Sequence, residues 1–185
     1  RAYADSLVYT YRLNPITAVL LIEQLKKIDG EIESRRQAAL RFRDLLAGCG
    51  SIAFPDYPDG DDPSYHLITM SYAADHADVR RETYIKALTA EGVNIFSYVP
   101  SPIPRWPRMQ WQTYRGPRVM WSENLRQHGV DYAEIELPGC DKRIATSLEM
   151  SWNFLDGTAL VEGIAKAILK VEGQLDALRD WEQPV

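Results

Sequence analysis

Cysteine is scarce. Cys49 and Cys140 are the only two in 185 residues, they lie far apart, and neither belongs to a CxxC pair. Two isolated thiols give neither a disulfide framework nor a zinc-ligand set, and they fit a reducing compartment. Long apolar runs are missing too. The longest, Ala18–Ile22, is five residues, against the roughly 20 needed to cross a bilayer. There is no secretory signal pattern. Basic residues are outnumbered 21 to 26, for a net charge of −5, so no electrostatic footprint for nucleic acid is present.

Several motifs are absent as well. Without GxGxxG, a P-loop or HExxH, dinucleotide-binding, nucleotide-cradling and zincin chemistries have no support. A GxSxG elbow is also missing. The three histidines, His66, His76 and His128, stand at no ligand spacing, which argues against a metal site. Asp61 and Asp62 fall in a polar loop and read as solvated turn residues.

What is present is the composition of a soluble globular chain, 45% apolar and 25% charged, about one ordinary domain long. It begins at Arg1 with no initiator methionine, which reads as an interior point of a longer polypeptide. Asn14-Pro15 predicts a helix start, Asn as cap and Pro at the first helical position. Leu21, Leu25, Ile28, Ile32, Ala39, Phe42 and Leu46 then follow at three- and four-residue steps, apart from one vacancy at Arg35. Ile16–Ile22 is apolar nearly all round, which predicts burial on several sides. Gly30 is the expected point for a kink or break, and Gly48 and Gly50 end the element.

A loop rich in Pro, Asp and Gly spans 54–64. Strands are expected at 65–72 and 93–99, separated by a helix at 78–91 with Val79, Tyr84, Ile85 and Leu88 inward. An irregular segment over 100–129 carries five prolines and Trp106, Trp111 and Trp121; loops of that length are usually functional. A short helix is expected at 138–146 and a strand at 148–152. Asp156 or Thr158 then caps a last helix with Leu160, Ile164, Ile168, Val171 and Leu175 on one side. Three strands with helices to one side predict an α+β layer.

The stretch VYTYRLNPITAVLLIEQLKKIDGEIESRR, residues 8–36, resembles the opening of the C-terminal part of DegT/DnrJ/EryC1/StrS aminotransferases. There, a Gly-x-Asn-Tyr-Arg-[Met/Leu] turn leads into an apolar helix. Tyr11, Arg12 and Leu13 match the turn, and Gln24-Leu25, Ile28-Asp29 and Arg35-Arg36 follow in register. Downstream, Tyr65-His66-Leu67, Arg81 through Ala90-Glu91-Gly92-Val93, Tyr98 with Pro100, and Leu137-Pro138 through Ile144 to Leu148 keep the family's order.

The resemblance implies the small C-terminal domain of a fold-type-I transferase that uses pyridoxal 5'-phosphate (PLP): residues 1–14 an interface turn, and 15–185 a three-stranded sheet packed with helices behind a long interface helix. It implies a cytoplasmic homodimer, a keto sugar on a nucleotide or a cyclitol as substrate, and an amino-acid amino donor. PLP would be held mainly by a large domain absent from this chain. The turn would reach toward the partner's cofactor phosphate through Thr10, Tyr11 and Arg12, where Arg12 offers a charged fork. The plainer alternative is that Tyr9, Tyr11 and Arg12 cover the helix start and pair with an acidic neighbour. The family's Gly and Asn stand here as Val8 and Thr10.

Tyr98, Arg105 and Arg108 are the candidate substrate contacts; Arg105, Arg108, Arg115 and Arg118 otherwise read as a solvated loop face. The His that many relatives carry after Tyr-x-Pro is absent, since this chain reads Tyr98-Val99-Pro100-Ser101-Pro102. Amino transfer on PLP needs a lysine. Lys26, Lys27, Lys86, Lys142, Lys166 and Lys170 are all expected on helices, and none has the family's Ser-rich context, so no catalytic residue is assigned. Two other readings stand beside this one: a degenerate aminotransferase-like domain that binds a ligand or partner, and a free-standing interaction module built on the long helix.

Overall fold

The computed structural model describes residues 11–61, 63–110, 127–129, 131–151 and 158–182. The first helix begins as predicted. The Asn14 side chain accepts the N–H of Ile16 at 2.9 Å, and Pro15 opens the helix where no N–H is needed. The single long helix, however, is two. α1 covers Pro15–Leu25 and α2 covers Ile28–Leu45. The break falls at Lys26-Lys27, where the Lys27 N–H turns back to the carbonyl of Gln24 at 3.0 Å. Gly30 sits inside the first turn of α2 and does not break it.

The expected burial of the first two turns is not met within this chain. No residue of α1 is buried, and Ile16 and Leu25 are 73% and 63% exposed. The reason is geometric: no described element packs over the apolar face of α1. Only further along does the stripe meet the core, through Ala39, Phe42 and Leu46.

The sheet has four strands rather than three, in the order β1-β2-β4-β3, all antiparallel. β1 is Ile52–Ala53, β2 Leu67–Tyr72, β3 Ile95–Phe96 and β4 Ser147–Ser151. Two residues are too few to show alternation, so β1 left no pattern in the sequence. In β2 the pattern is clear: Ile68, Met70 and Tyr72 point into the core and their neighbours do not. Met70 pairs with Leu148 and Ile68 with Met150, so one face of the sheet presents a continuous apolar surface.

Helices cover that face. α3 is one turn, Ala74–Ala77, closed by Asp78 in the left-handed region. α4 runs from Arg81 to Ala90, three residues later than expected because Asp78 ends the preceding turn. Gly92 closes α4 with φ +87, a conformation that glycine adopts freely. α6, Thr158–Glu172, and α7, Leu175–Glu182, complete this layer, whereas α5, Pro138–Thr146, lies on the other face of the sheet, so the helices are not all to one side as expected. The buried stripe of α6 is Val161, Ala165, Ile168 and Val171, whereas Leu160 is 49% exposed. Phe42, Tyr84, Leu88, Leu148 and Ile168 are fully buried. Each such side chain contributes about 1.5–3 kcal/mol by leaving water. The opposite face of the central strand β4 carries Ser147 and Glu149, both buried, and faces α5.

Candidate functional site

β3 was expected to continue to Val99 but stops at Phe96. Side chains take over from the backbone ladder there. The Ser97 hydroxyl lies 3.1 Å from that of Ser147, and the Tyr98 N–H donates to Glu149 Oε2 at 3.0 Å. The chain then leaves the sheet and forms an open cleft lined by Tyr98–Ser101 and Trp106–Arg108.

Two short 3-10 turns follow, Ile103–Arg105 and Pro107–Met109, and Trp106 with the start of the second forms the far wall. The Trp106 indole N–H donates to the Ser101 carbonyl at 3.0 Å, which closes the segment on itself. The Gln110 amide adds a second tie to the Pro104 carbonyl. Arg108 stacks over the Trp106 ring, its guanidinium carbon 4.7 Å from the centroid. Tyr98 is 64% exposed and presents its ring to the cleft. Two of the seven lining residues are aromatic and one is a stacked guanidinium, a surface suited to a planar or sugar-like ligand carrying negative charge.

Of the three predicted substrate contacts, Tyr98 and Arg108 line this cleft and Arg105 does not. Arg105 instead forms a two-pronged ion pair with Asp141 in the first turn of α5, at 2.5 and 2.9 Å. The hydrogen bonds between them raise the guanidinium's pKa and lower the carboxyl's. Arg105 thus anchors the 3-10 wall to α5. Arg115, Arg118 and Trp111 lie outside the described residues.

Beneath the cleft is a buried charge that sequence reasoning missed. Glu149 is 7% exposed. Its second oxygen accepts from Arg143 at 3.0 Å, and the same guanidinium donates to the Met70 carbonyl at 2.8 Å and to the Ser71 hydroxyl at 3.0 Å. The carboxylate is buried, whereas the Arg143 side chain is 36% exposed, so the pair sits at the edge of the core with its charged hydrogen bond intact. The available signal was a charged residue between Leu148 and Met150 in a strand otherwise fit for the core.

Tyr11 and Arg12 lie in the exposed lead into α1, and Tyr11 is 90% exposed. They are not among the residues lining the Tyr98 cleft. Thr10 and Val8 lie outside the described residues. Lys86, Lys142, Lys166 and Lys170 are exposed on helices, while Lys26 and Lys27 are exposed in the turn between α1 and α2 rather than on a helix. Lys26 pairs with Glu23 and Lys170 with Glu91. No lysine lines the cleft. The described residues therefore do not by themselves build a holder for PLP; Arg12 and Tyr11 have the chemistry of an edge contact to its phosphate and no more. No cluster of metal-ligating side chains occurs among the described residues. No described helix is long and apolar enough to cross a membrane.

The sequence pattern of the DegT/DnrJ/EryC1/StrS aminotransferase family matches residues 1–131. The fold is similar to that of a DegT DnrJ EryC1 StrS aminotransferase from Brucella abortus, at 20% identity over 88% of this chain and 36% of that one, with a TM-score of 0.63. It is similar to Helicobacter pylori PseC, an aminotransferase involved in the biosynthesis of pseudoaminic acid, at 18% identity over 92% of this chain and 40% of that one, TM-score 0.67. A third likeness is to S. venezuelae DesV, solved in complex with a ketimine intermediate, at 22% identity over 100% of this chain and 41% of that one, TM-score 0.60. At such identities the structural likeness is one of fold. The chain spans about 40% of the length of these relatives.

Proposed function

The chain belongs to the DegT/DnrJ/EryC1/StrS aminotransferase family, and we propose that it is the C-terminal part of a PLP-dependent aminotransferase acting on a keto sugar. The α+β layer is the small domain of the fold-type-I architecture. Residues 1–14 form the interface turn and 15–185 the small domain, with the large PLP-binding domain upstream. PLP supplies the electron sink for moving an amino group from an amino acid to a ketone. This chain's residues supply one wall of the substrate site. Arg12 and Tyr11 reach toward the cofactor phosphate across a homodimer interface.

The single observation that carries the substrate side is the cleft after β3, where Tyr98, Trp106 and Arg108 face one open space. Its aromatic walls suit the apolar faces of a sugar or a base, and Arg108 suits a phosphate. Arg105, paired with Asp141, anchors that wall to α5. The exposed apolar face of α1 supports the interface role, because a large exposed apolar patch marks a surface that another chain segment covers.

The chain alone holds no PLP and catalyses no transfer. The test is kinetic, on the full-length protein. Tyr98→Ala and Arg108→Ala each raise KM for the keto substrate about tenfold and leave KM for the amino donor unchanged. Unchanged KM for the keto substrate in both variants places the site elsewhere.

A further inference from the structure

The start of the Tyr98 cleft is held by side-chain bonds that the sheet ladder does not provide. After Phe96, β3 stops pairing with β4. The next structural tie of the segment is the Tyr98 N–H to Glu149 Oε2 at 3.0 Å, supported by the Ser97–Ser147 hydroxyl contact. Glu149 is buried, so its position is set by its partners rather than by solvent. Arg143 holds Glu149 Oε1 at 3.0 Å and at the same time holds the backbone of β2 at Met70 and the hydroxyl of Ser71. The guanidinium thus belongs to α5, grips β2 and hands the carboxylate to the residue where the cleft begins. A neutral isostere at 149 keeps the shape but loses the charge that makes both bonds strong.

We propose that Glu149, fixed by Arg143, is a positioning residue for substrate: it sets where the Tyr98–Ser101 wall stands without touching the reacting atoms. This rests on the reading that the Tyr98 cleft faces the keto substrate. A cleft wall that loosens takes its contacts to the keto substrate with it, and ordering it again on binding costs affinity. The consequence is a split in the kinetics. Disturbing Glu149 acts on KM for the keto substrate and spares both kcat and KM for the donor.

The experiment uses the full-length protein with Glu149→Gln and, as a second variant, Arg143→Lys, which keeps the charge but loses the forked reach. The probe is whichever of a panel of nucleotide-linked keto sugars and keto cyclitols the unchanged enzyme converts fastest, with L-glutamate as donor. Amide hydrogen exchange is read peptide by peptide in the same samples. The expected result is about tenfold faster exchange over residues 98–101, with α2 and α6 within about twofold of the unchanged protein. With it comes about a tenfold rise in KM for the keto substrate, with kcat and the donor KM within about twofold.

Unchanged exchange over 98–101 overturns the proposal. Faster exchange throughout the domain, or failure of both variants to fold, also overturns it, because the pair is then merely structural. Local loosening with an unchanged KM overturns it while Tyr98→Ala still raises KM, and the reading of the cleft then stands. If Tyr98→Ala itself leaves KM unchanged, the cleft reading fails and the proposal falls with it.

Discussion

Glu172 Oε1 accepts the backbone N–H of Gly50 at 3.0 Å, tying the last turn of α6 to the chain reversal between α2 and β1. The same oxygen accepts the Ser51 N–H at 3.2 Å and lies 3.3 Å from His76 Nε2. Burial pushes this carboxyl up, but the hydrogen bonds from Ser51 and Gly50 outweigh it and hold the group below its ordinary value of 4.5. A carboxyl depressed in the folded state contributes stability above its unfolded pKa and loses it as pH falls through the lower folded value.

Glu172→Gln therefore lowers Tm at neutral pH by about 3 °C, the equivalent of about 1 kcal/mol for a chain of this size. The gap between the two proteins closes as pH falls below 4.5. Thermal melts of both proteins from pH 7 downward check this. A gap that stays constant into acid means that the charge of Glu172 contributes nothing.

The two thiols should behave as different reagents. Cys49 is 6% exposed, and burial, followed by the charge of Glu172, pushes its thiol up to about 11. Cys140 is exposed in the first turn of α5. Since the thiolate is the nucleophile, iodoacetamide at pH 8 should modify Cys140 in the native protein and leave Cys49 intact. Peptide mass spectrometry locates the label. Equal labelling of both before unfolding contradicts the packing around Cys49.

Truncation should separate the two halves of the first helical stripe. Phe42→Ala and Leu88→Ala remove fully buried side chains and should cost about 3–4 kcal/mol each in urea unfolding. Leu20→Ala, at a position 62% exposed, should change the folding free energy of this chain by less than about 0.5 kcal/mol. A loss at Leu20 comparable to that at Phe42 contradicts the exposed placement of α1.

That contrast also marks what the sequence could reveal. Periodicity identified the stripe from Leu21 to Leu46 and the Asn14-Pro15 start, because helix spacing and caps are local. It did not separate an apolar face that meets the core from one that meets something outside the chain, since Ile16 and Phe42 are equally apolar. β2 was legible through its alternation and β3 was placed within 93–99 but drawn too long, while β1, two residues, carried too little pattern. In the cleft, Tyr98 and Arg108 came from motif order and loop composition. Glu149, Arg143 and the Arg105–Asp141 pair depend on contacts between residues 6 to 73 apart in the chain, which spacing does not encode. Lys26 and Lys27 look helical by propensity, yet they form the turn between α1 and α2.

The most direct measurement is amino transfer itself, followed in two samples: the full-length protein and this 185-residue chain, each with PLP, a panel of L-amino acids and a panel of nucleotide-linked keto sugars and keto cyclitols. The full-length protein is expected to aminate one keto substrate in step with conversion of one amino acid to its 2-oxo acid. The chain alone is expected neither to turn over nor to give a borohydride-sensitive visible band with PLP. Amino transfer by the chain alone, or a full-length protein that aminates no keto sugar or cyclitol, contradicts the proposed function.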